Sequence, residues 1–306
     1  MYPSSQPSDE PSSSPSVDLP FINKSFIIKT GENTGSTRSS IDLCLEPDEL
    51  SADKIIKTKI CNGSDNQSWT KDQKGRFFNV ADSSLCLKRK NNNRLKVDND
   101  CTASDEVDSQ RNFAFDWFDS KFVMKKNPGE LVATISALEE NKNIEFKEWS
   151  ADNVLQKFTI VPDNDVIAVP PAYFQIQSEI AGDYCLAPTS STDFSEVKPV
   201  SCSSADTAQV WYYVNGFFRS GTSAGPCMVK EGDTLKIKGC EKITGIPPNR
   251  FIYDFFDYTL SWRSNSKLVT IENDSVDSSF PAKILKRNLG QHPNGGQQWR
   301  IIGQSP

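Results

Sequence analysis

Apolar residues come in short clusters along this chain. Runs such as Phe26-Ile27-Ile28, Leu85-Cys86-Leu87, Leu95-Lys96-Val97 and Leu235-Lys236-Ile237 are set between clusters of Gly, Asn, Asp and Ser. Segments of this length with turn chemistry on both sides predict β-strands, and long stretches with the 3.6-residue period of an amphipathic helix are absent.

The strands fall into units. An aromatic strand (Phe77-Phe78, or Phe217-Phe218) leads to a turn, a strand centred on a cysteine, a third strand ending at the next cysteine, and a closing strand at an aromatic anchor. The anchors are Trp69, Phe113 and Phe158, 44 and 45 residues apart, then Trp211, Phe251 and Trp299, 40 and 48 apart. A unit of this length cannot bury its apolar face alone, so three must share one core, which predicts closed threefold packing. Four strands per unit predict about twelve strands per domain.

The whole pattern occurs twice. Cys44, Cys61 and Cys86 recur as Cys185, Cys202 and Cys227, each 141 residues on, and Cys101 recurs as Cys240 at 139. Trp69 recurs as Trp211 at 142 and Phe158 as Trp299 at 141. Two homologous domains follow, over 22–162 and 172–303, with a linker at 163–171 where Pro162 to Pro171 breaks the strand pattern. Residues 1–21 repeat Pro-Ser at four-residue intervals, which predicts a disordered or polyproline-like tail, either an O-glycosylated spacer or a plain flexible end.

Composition narrows the function. With 36% apolar residues in 306, the chain can build two compact cores. The net charge is −6, and the 34 Lys and Arg are scattered rather than gathered on a run with interleaved aromatics, which argues against nucleic acid. No stretch approaches the ~20 apolar residues of a spanning helix, and the start has neither the charged region nor the apolar run of a signal peptide.

The eight cysteines fall two by two inside units and predict disulfides Cys44–Cys61, Cys86–Cys101, Cys185–Cys202 and Cys227–Cys240. Each closed loop is worth roughly 3 kcal/mol. The alternative is eight buried thiols; metal ligation is disfavoured because CxxC spacing is absent and His292 is the single histidine. Disulfides imply an oxidising compartment, so the expected setting is extracellular, with the chain a mature fragment or a piece of a longer secreted protein. Sequons at Asn23, Asn62, Asn66 and Asn273 are compatible with that route. No cofactor is expected, and the sequence leaves the oligomeric state open.

Three units of about 45 residues, closing on Gln-x-Trp or a degenerate form of it, with cysteine pairs in the first and second units and none in the third, resemble the ricin B-type lectin family over about 22–162 and 170–303. The resemblance implies an all-β protein of two tandem β-trefoils. The alternative is another repeated all-β fold. The six anchors Trp69, Phe113, Phe158, Trp211, Phe251 and Trp299 are then core residues, with the motif Gln satisfying buried backbone groups. Two closing motifs depart from the pattern: Asn249-Arg250-Phe251, and Gln110-Arg111-Asn112-Phe113, which is one residue longer.

The resemblance also implies a sugar site per unit: an acidic residue two places after the first cysteine, an aromatic platform two before the second, and an Asn-Gln pair opening the closing motif. Carboxylates and amides take sugar hydroxyls bidentately, and an aromatic ring takes the apolar face of a pyranose. In the first unit these places hold Glu46, Lys59 and Asn66-Gln67. Lys59 offers no ring, although it can bind a hydroxyl or a sulfate, which points towards acidic or sulfated sugars. Elsewhere the acidic place holds Lys88, Ala187 and Val229, the platform place holds Asn99, Val200 and Lys238, and the last unit has Thr270 and Lys286. A glycan on Asn66 would block the pocket. Catalysis finds no constellation: His292 lacks partners for Ser-His-Asp, Cys-His or His-metal chemistry, and nothing singles out a carboxylate pair among 40 Asp and Glu. The reading is therefore a non-catalytic extracellular glycan-binding protein, with glycans or glycoproteins as partners. The alternatives are a trefoil scaffold or protein-interaction module that has lost sugar binding, or an accessory domain of a larger secreted protein.

Overall fold

A computed structural model of the chain describes residues 24–31, 42–72, 75–90, 92–101, 110–124, 131–150, 152–162, 169–179, 182–221, 225–243, 250–262, 267–271, 282–285 and 297–304. The predicted tail over 1–21 and most of the predicted linker lie outside these residues.

Twenty-four strands and four single-turn 3-10 segments make up the regular structure of the described residues. The strands fall into six sets of four, matching the units of the sequence. In the first half, strand Ser25–Thr30 pairs with both Ser68–Lys71 and Phe158–Pro162, Ser68–Lys71 pairs with Phe77–Asn79, and Phe113–Asp116 pairs with Lys121–Met124. Backbone bonds from Phe113 N to Gly75 O and from Phe158 N to Ser120 O link the remaining neighbours. The first and last strands of each unit thus form a six-stranded barrel.

The second and third strands of each unit form a hairpin: Leu43–Pro47 with Ile56–Ile60, Cys86–Arg89 with Leu95–Asp98, and Leu131–Ile135 with Ile144–Glu148. Their ends meet pairwise at Ile55 with Lys96, Lys57 with Asn143, and Arg94 with Glu145, which sets three hairpins about one axis as a cap. A six-stranded barrel closed by a triangle of hairpins is a β-trefoil. The second half repeats it, with Tyr173–Ser178 joined to Trp299–Gly303 and Trp211–Val214, and with caps such as Cys227–Glu231 on Thr234–Lys238. The chain is all-β, two trefoils in tandem.

All six anchors are buried. The three tryptophans also spend their indole N–H, Trp69 on Leu45 O, Trp211 on Leu186 O and Trp299 on Val269 O, each bridging the closing strand to its unit's hairpin. The four disulfides join the predicted pairs.

The two trefoils share one continuous apolar core. In each third unit the first barrel strand is entered through an Asp-aromatic-Phe-Asp turn, Asp116-Trp117-Phe118-Asp119 in one half and Asp254-Phe255-Phe256-Asp257 in the other. The turns cross. Trp117 N donates to Tyr253 O and Phe255 N to Phe115 O, a reciprocal pair about a local twofold. Phe256 packs on Phe26 and Phe77 of the first barrel, while Phe118 packs on Phe174, Phe218 and Tyr213 of the second, so each trefoil plugs the other with a phenylalanine. Burying each ring is worth about 1.5–3 kcal/mol. Outside this centre, the Arg250 guanidinium lies 3.4 Å from the Trp149 ring centre, a second contact between the halves.

Candidate functional site

The motif glutamines show how the units are wired. Gln67 is fully buried at the foot of its closing strand. Its Oε1 accepts from Asn62 N, and its Nε2 donates to Ile60 O and, at 2.8 Å, to Glu46 Oε2. Gln156 repeats the arrangement: its oxygen accepts from Ser150 N, and its nitrogen donates to Glu148 O and Thr134 Oγ1. Gln297 donates to Thr270 Oγ1 in the same way. In the fourth unit the place two after the cysteine is Ala187, and Gln209 donates instead to Asp206 Oδ2, while keeping its bonds with Ser203 N and Ser201 O. The glutamine is therefore a bracket between the hairpin and the closing strand, and its spare N–H holds the side chain at the predicted sugar-binding place where that residue is Glu46, Thr134 or Thr270.

In the first unit that residue is the only carboxylate of the set. Glu46 is half-buried on the outer face of its hairpin, with Lys57 directly opposite and Cys44 opposite Lys59. Lys57 itself pairs with Asp48 at 2.8 Å, and the hydrogen bond from Lys57, opposed by desolvation and assisted by the charges of Lys57, Lys59 and Lys54, holds the Asp48 carboxyl below its ordinary value. Lys59 is half-buried and its ammonium donates to Asn141 Oδ1 on the third unit's hairpin. Asn66 is half-buried, with its carbonyl accepting from Asn79 Nδ2. Glu46, Lys59 and Asn66 thus come from the two hairpin strands and the 3-10 turn before the closing strand, while Gln67 lies beneath them.

Of the other predicted positions, Lys88, Ala187, Val229 and Thr270 occupy the place equivalent to Glu46 in their hairpins. Lys286 and His292, and the sequons at Asn23 and Asn273, lie outside the described residues. Asn62 is exposed, and its Oδ1 accepts from Ser64 N.

Among the described residues no group of three or more His, Cys, Asp or Glu is placed to hold a metal ion, and no described helix is long and apolar enough to cross a membrane. Asp254 and Asp257 come together at the junction of the trefoils, where both are buried and bonded to Lys71.

The fold and its repeated bracket define a tandem β-trefoil protein. No protein-family model matches the chain, and no curated protein matches it by sequence. Similar solved structures include a non-toxic homologue of type II RIPs from Momordica charantia (bitter gourd) in complex with α-methyl-D-galactoside, at 18% identity over 92% of this chain and 98% of that one, TM-score 0.38. Others are the agglutinin from Abrus precatorius, at 15% identity over 96% and 100%, TM-score 0.37, and the C-terminal half of the earthworm R-type lectin in complex with GalNAc, at 18% identity over 44% and 100%, TM-score 0.36.

Proposed function

We propose that this chain is a non-catalytic, extracellular glycan-binding protein whose principal site is the first unit of the first trefoil. The observation that carries the reading is the bond from Gln67 Nε2 to Glu46 Oε2, which holds a half-exposed carboxylate on the rim where the other five hairpins have none. Glu46 takes a pair of sugar hydroxyls, Asn66 and Lys59 supply the neighbouring amide and ammonium, and Gln67 positions Glu46 from below. Lys59, standing where a ring would be, favours a ligand with an acidic or sulfated substituent. The trefoils span about residues 22–162 and 172–303, and their four disulfides support an oxidising, extracellular setting. Glycoproteins or polysaccharides are the partners.

The test is a glycan array on the oxidised protein made without glycosylation at Asn66, beside Glu46→Gln. Binding lost in the variant is the expected result. Binding retained moves the site elsewhere, and no saturable binding by the wild-type protein leaves the second reading, a trefoil scaffold that has lost sugar binding. That reading is favoured by the Lys, Thr, Ala and Val found at the equivalent places of the other hairpins.

A further inference from the structure

Lys71 ends the strand Ser68–Lys71 of the first barrel and is fully buried. Its ammonium stands between two buried carboxylates of the second trefoil's crossing turn, 2.8 Å from Asp257 Oδ1 and 3.0 Å from Asp254 Oδ2. The ring centres of Phe256 and Phe77 lie 4.7 and 5.7 Å from the same nitrogen. An amine and two carboxyl groups therefore share a space walled by aromatic rings. Charges taken out of water in this way are held at a penalty, and a reaction that consumes an ammonium and a carboxylate together removes two of them. The fold does not require the lysine, since the second barrel has Tyr213 at its place.

The two carboxyl groups are held differently. Asp254 Oδ1 accepts from Phe115 N at 3.4 Å and from Phe256 N at 3.3 Å, so one oxygen lies against two backbone N–H groups, one from each trefoil, while Oδ2 faces the lysine. Asp257 presents its own Oδ1 to the lysine from the other end of the turn. These are the parts that amide formation needs: an amine nucleophile, a carboxyl carbon whose carbonyl oxygen is met by N–H donors, and a second carboxylate within reach of the amine's protons. Holding them in contact makes the step intramolecular, with effective molarities that reach ~10⁵–10⁸ M for well-oriented groups.

We propose that Lys71 and Asp254 join in an intramolecular amide that ties the two trefoils together, with Asp257 as the proton carrier. Asp257 takes a proton from the ammonium, and the freed amine attacks Asp254 Cγ while Asp254 Oδ1 carries the developing negative charge against the N–H groups of Phe115 and Phe256. Asp257 passes two protons in turn from the nitrogen to Asp254 Oδ2, the C–O bond breaks, and Oδ2 leaves as water. One C–N bond has formed, Asp257 ends as the carboxylate it began as, and no oxidant, reductant or activated co-reactant is consumed. Each of the four disulfides lies within one half of the chain, so this amide is a covalent tie between the halves, across 183 positions of sequence. It stands independently of whether the hairpin rims bind sugar.

The experiment is intact-mass spectrometry of the whole chain, made without glycosylation, then reduced and denatured. The wild-type protein should be lighter by one water than its sequence requires. In a tryptic digest the chain should stay uncut after Lys71, and the peptide crossing that residue should be joined to the one beginning at Phe251, with fragment ions placing the joint on Asp254. Lys71→Arg keeps a cation beside both carboxylates but offers no free amine, and should show the full sequence mass. Asp257→Asn still hydrogen-bonds the lysine but takes up no proton, and its unlinked fraction should be at least about tenfold that of the wild type. Near-ultraviolet circular dichroism checks that both variants fold. A wild-type chain at its full sequence mass overturns the proposal whatever the variants do. A water loss that persists in Lys71→Arg overturns it as well, because the loss then arises elsewhere, and a joint on Asp257 overturns the assignment of roles. Glu46→Gln should keep the whole water loss, so this proposal and the sugar-binding reading fail separately.

Discussion

Lys71 Nζ lies 2.8 Å from Asp257 Oδ1, a bond between residues 186 positions apart that ties the barrel of the first trefoil to the crossing turn of the second. Asp254 Oδ2 sits 3.0 Å from the same ammonium, the Phe256 ring centre lies 4.7 Å from it, and lysine and both aspartates are buried. The equivalent place in the second barrel is Tyr213, which instead stacks on Phe118. The two plugs are alike in geometry and different in chemistry.

Replacing Lys71 with Met leaves two buried carboxylates without their cation. A loss of about 3–5 kcal/mol is expected. Guanidinium unfolding at neutral pH reads it; a loss below about 1 kcal/mol would mean that water enters the junction and screens the pair.

Because each trefoil's core contains the other's phenylalanine, the halves should not melt separately. Calorimetry is expected to give one endotherm with matching calorimetric and van't Hoff enthalpies. Two resolved transitions would show that the plugs contribute little.

Gln67→Ala removes three hydrogen bonds, two of them to backbone groups, and should cost about 1–3 kcal/mol. Glu46→Gln keeps an oxygen to accept from Gln67 and should cost less than about 0.5 kcal/mol. Thermal melts of the two variants distinguish the bracket from the residue it holds, and equal losses would reject that division.

The hairpin turns place Asp53, Asn93, Asn141 and Phe194 in the left-handed region, at φ 69°, 61°, 62° and 67°. Three of these residues tolerate that backbone; a bulky phenylalanine does not. Phe194 is 46% exposed and its ring has Lys238 5.4 Å away, so little burial is lost on truncation. Phe194→Asn should therefore raise the melting temperature by about 1–2 °C. A drop of several degrees would show that the ring's contacts outweigh the strain.

Tyr253 is buried with its hydroxyl donating 2.8 Å to Trp299 O. Burial first, then the negative charges of Tyr258, Asp254 and Glu179, push its pKa well above the ordinary phenol value. The folded state holds this proton more tightly than the unfolded chain, so its contribution is complete below about pH 10 and falls by ~1.4 kcal/mol per pH unit above it. Tyr253→Phe should be about 1 kcal/mol less stable at pH 8 and should lose stability more gently between pH 10 and 11. Urea midpoints across that range check the slope, and parallel curves would refute the assignment.

Much of the architecture is legible from spacing. The anchors and cysteines recur in register because each fills an equivalent place about the threefold axis of its barrel, and a core cannot accommodate an insertion there. The crossing turns are harder to see. Asp116-Trp117-Phe118-Asp119 and Asp254-Phe255-Phe256-Asp257 repeat at an offset of 138, close to that of the anchors, and two carboxylates flanking adjacent aromatics are an unusual core pattern. Their meaning lies in which barrel receives each ring, and local sequence carries no trace of that. At the candidate site, Glu46 and Asn66 are identifiable by position, but the division between the half-buried Glu46 and the fully buried Gln67 follows from the bracket geometry.

Sequence alone determined the duplication, the six units and the disulfide pairs, because local strand pattern and repeat register are enough to specify them, while the trefoil architecture was what the family resemblance implied. The tertiary structure decided that Lys71 meets Asp254 and Asp257 and that the two cores are one. These relationships depend on register and on contacts between residues far apart in the chain, where a charge is costly or harmless according to what stands opposite it.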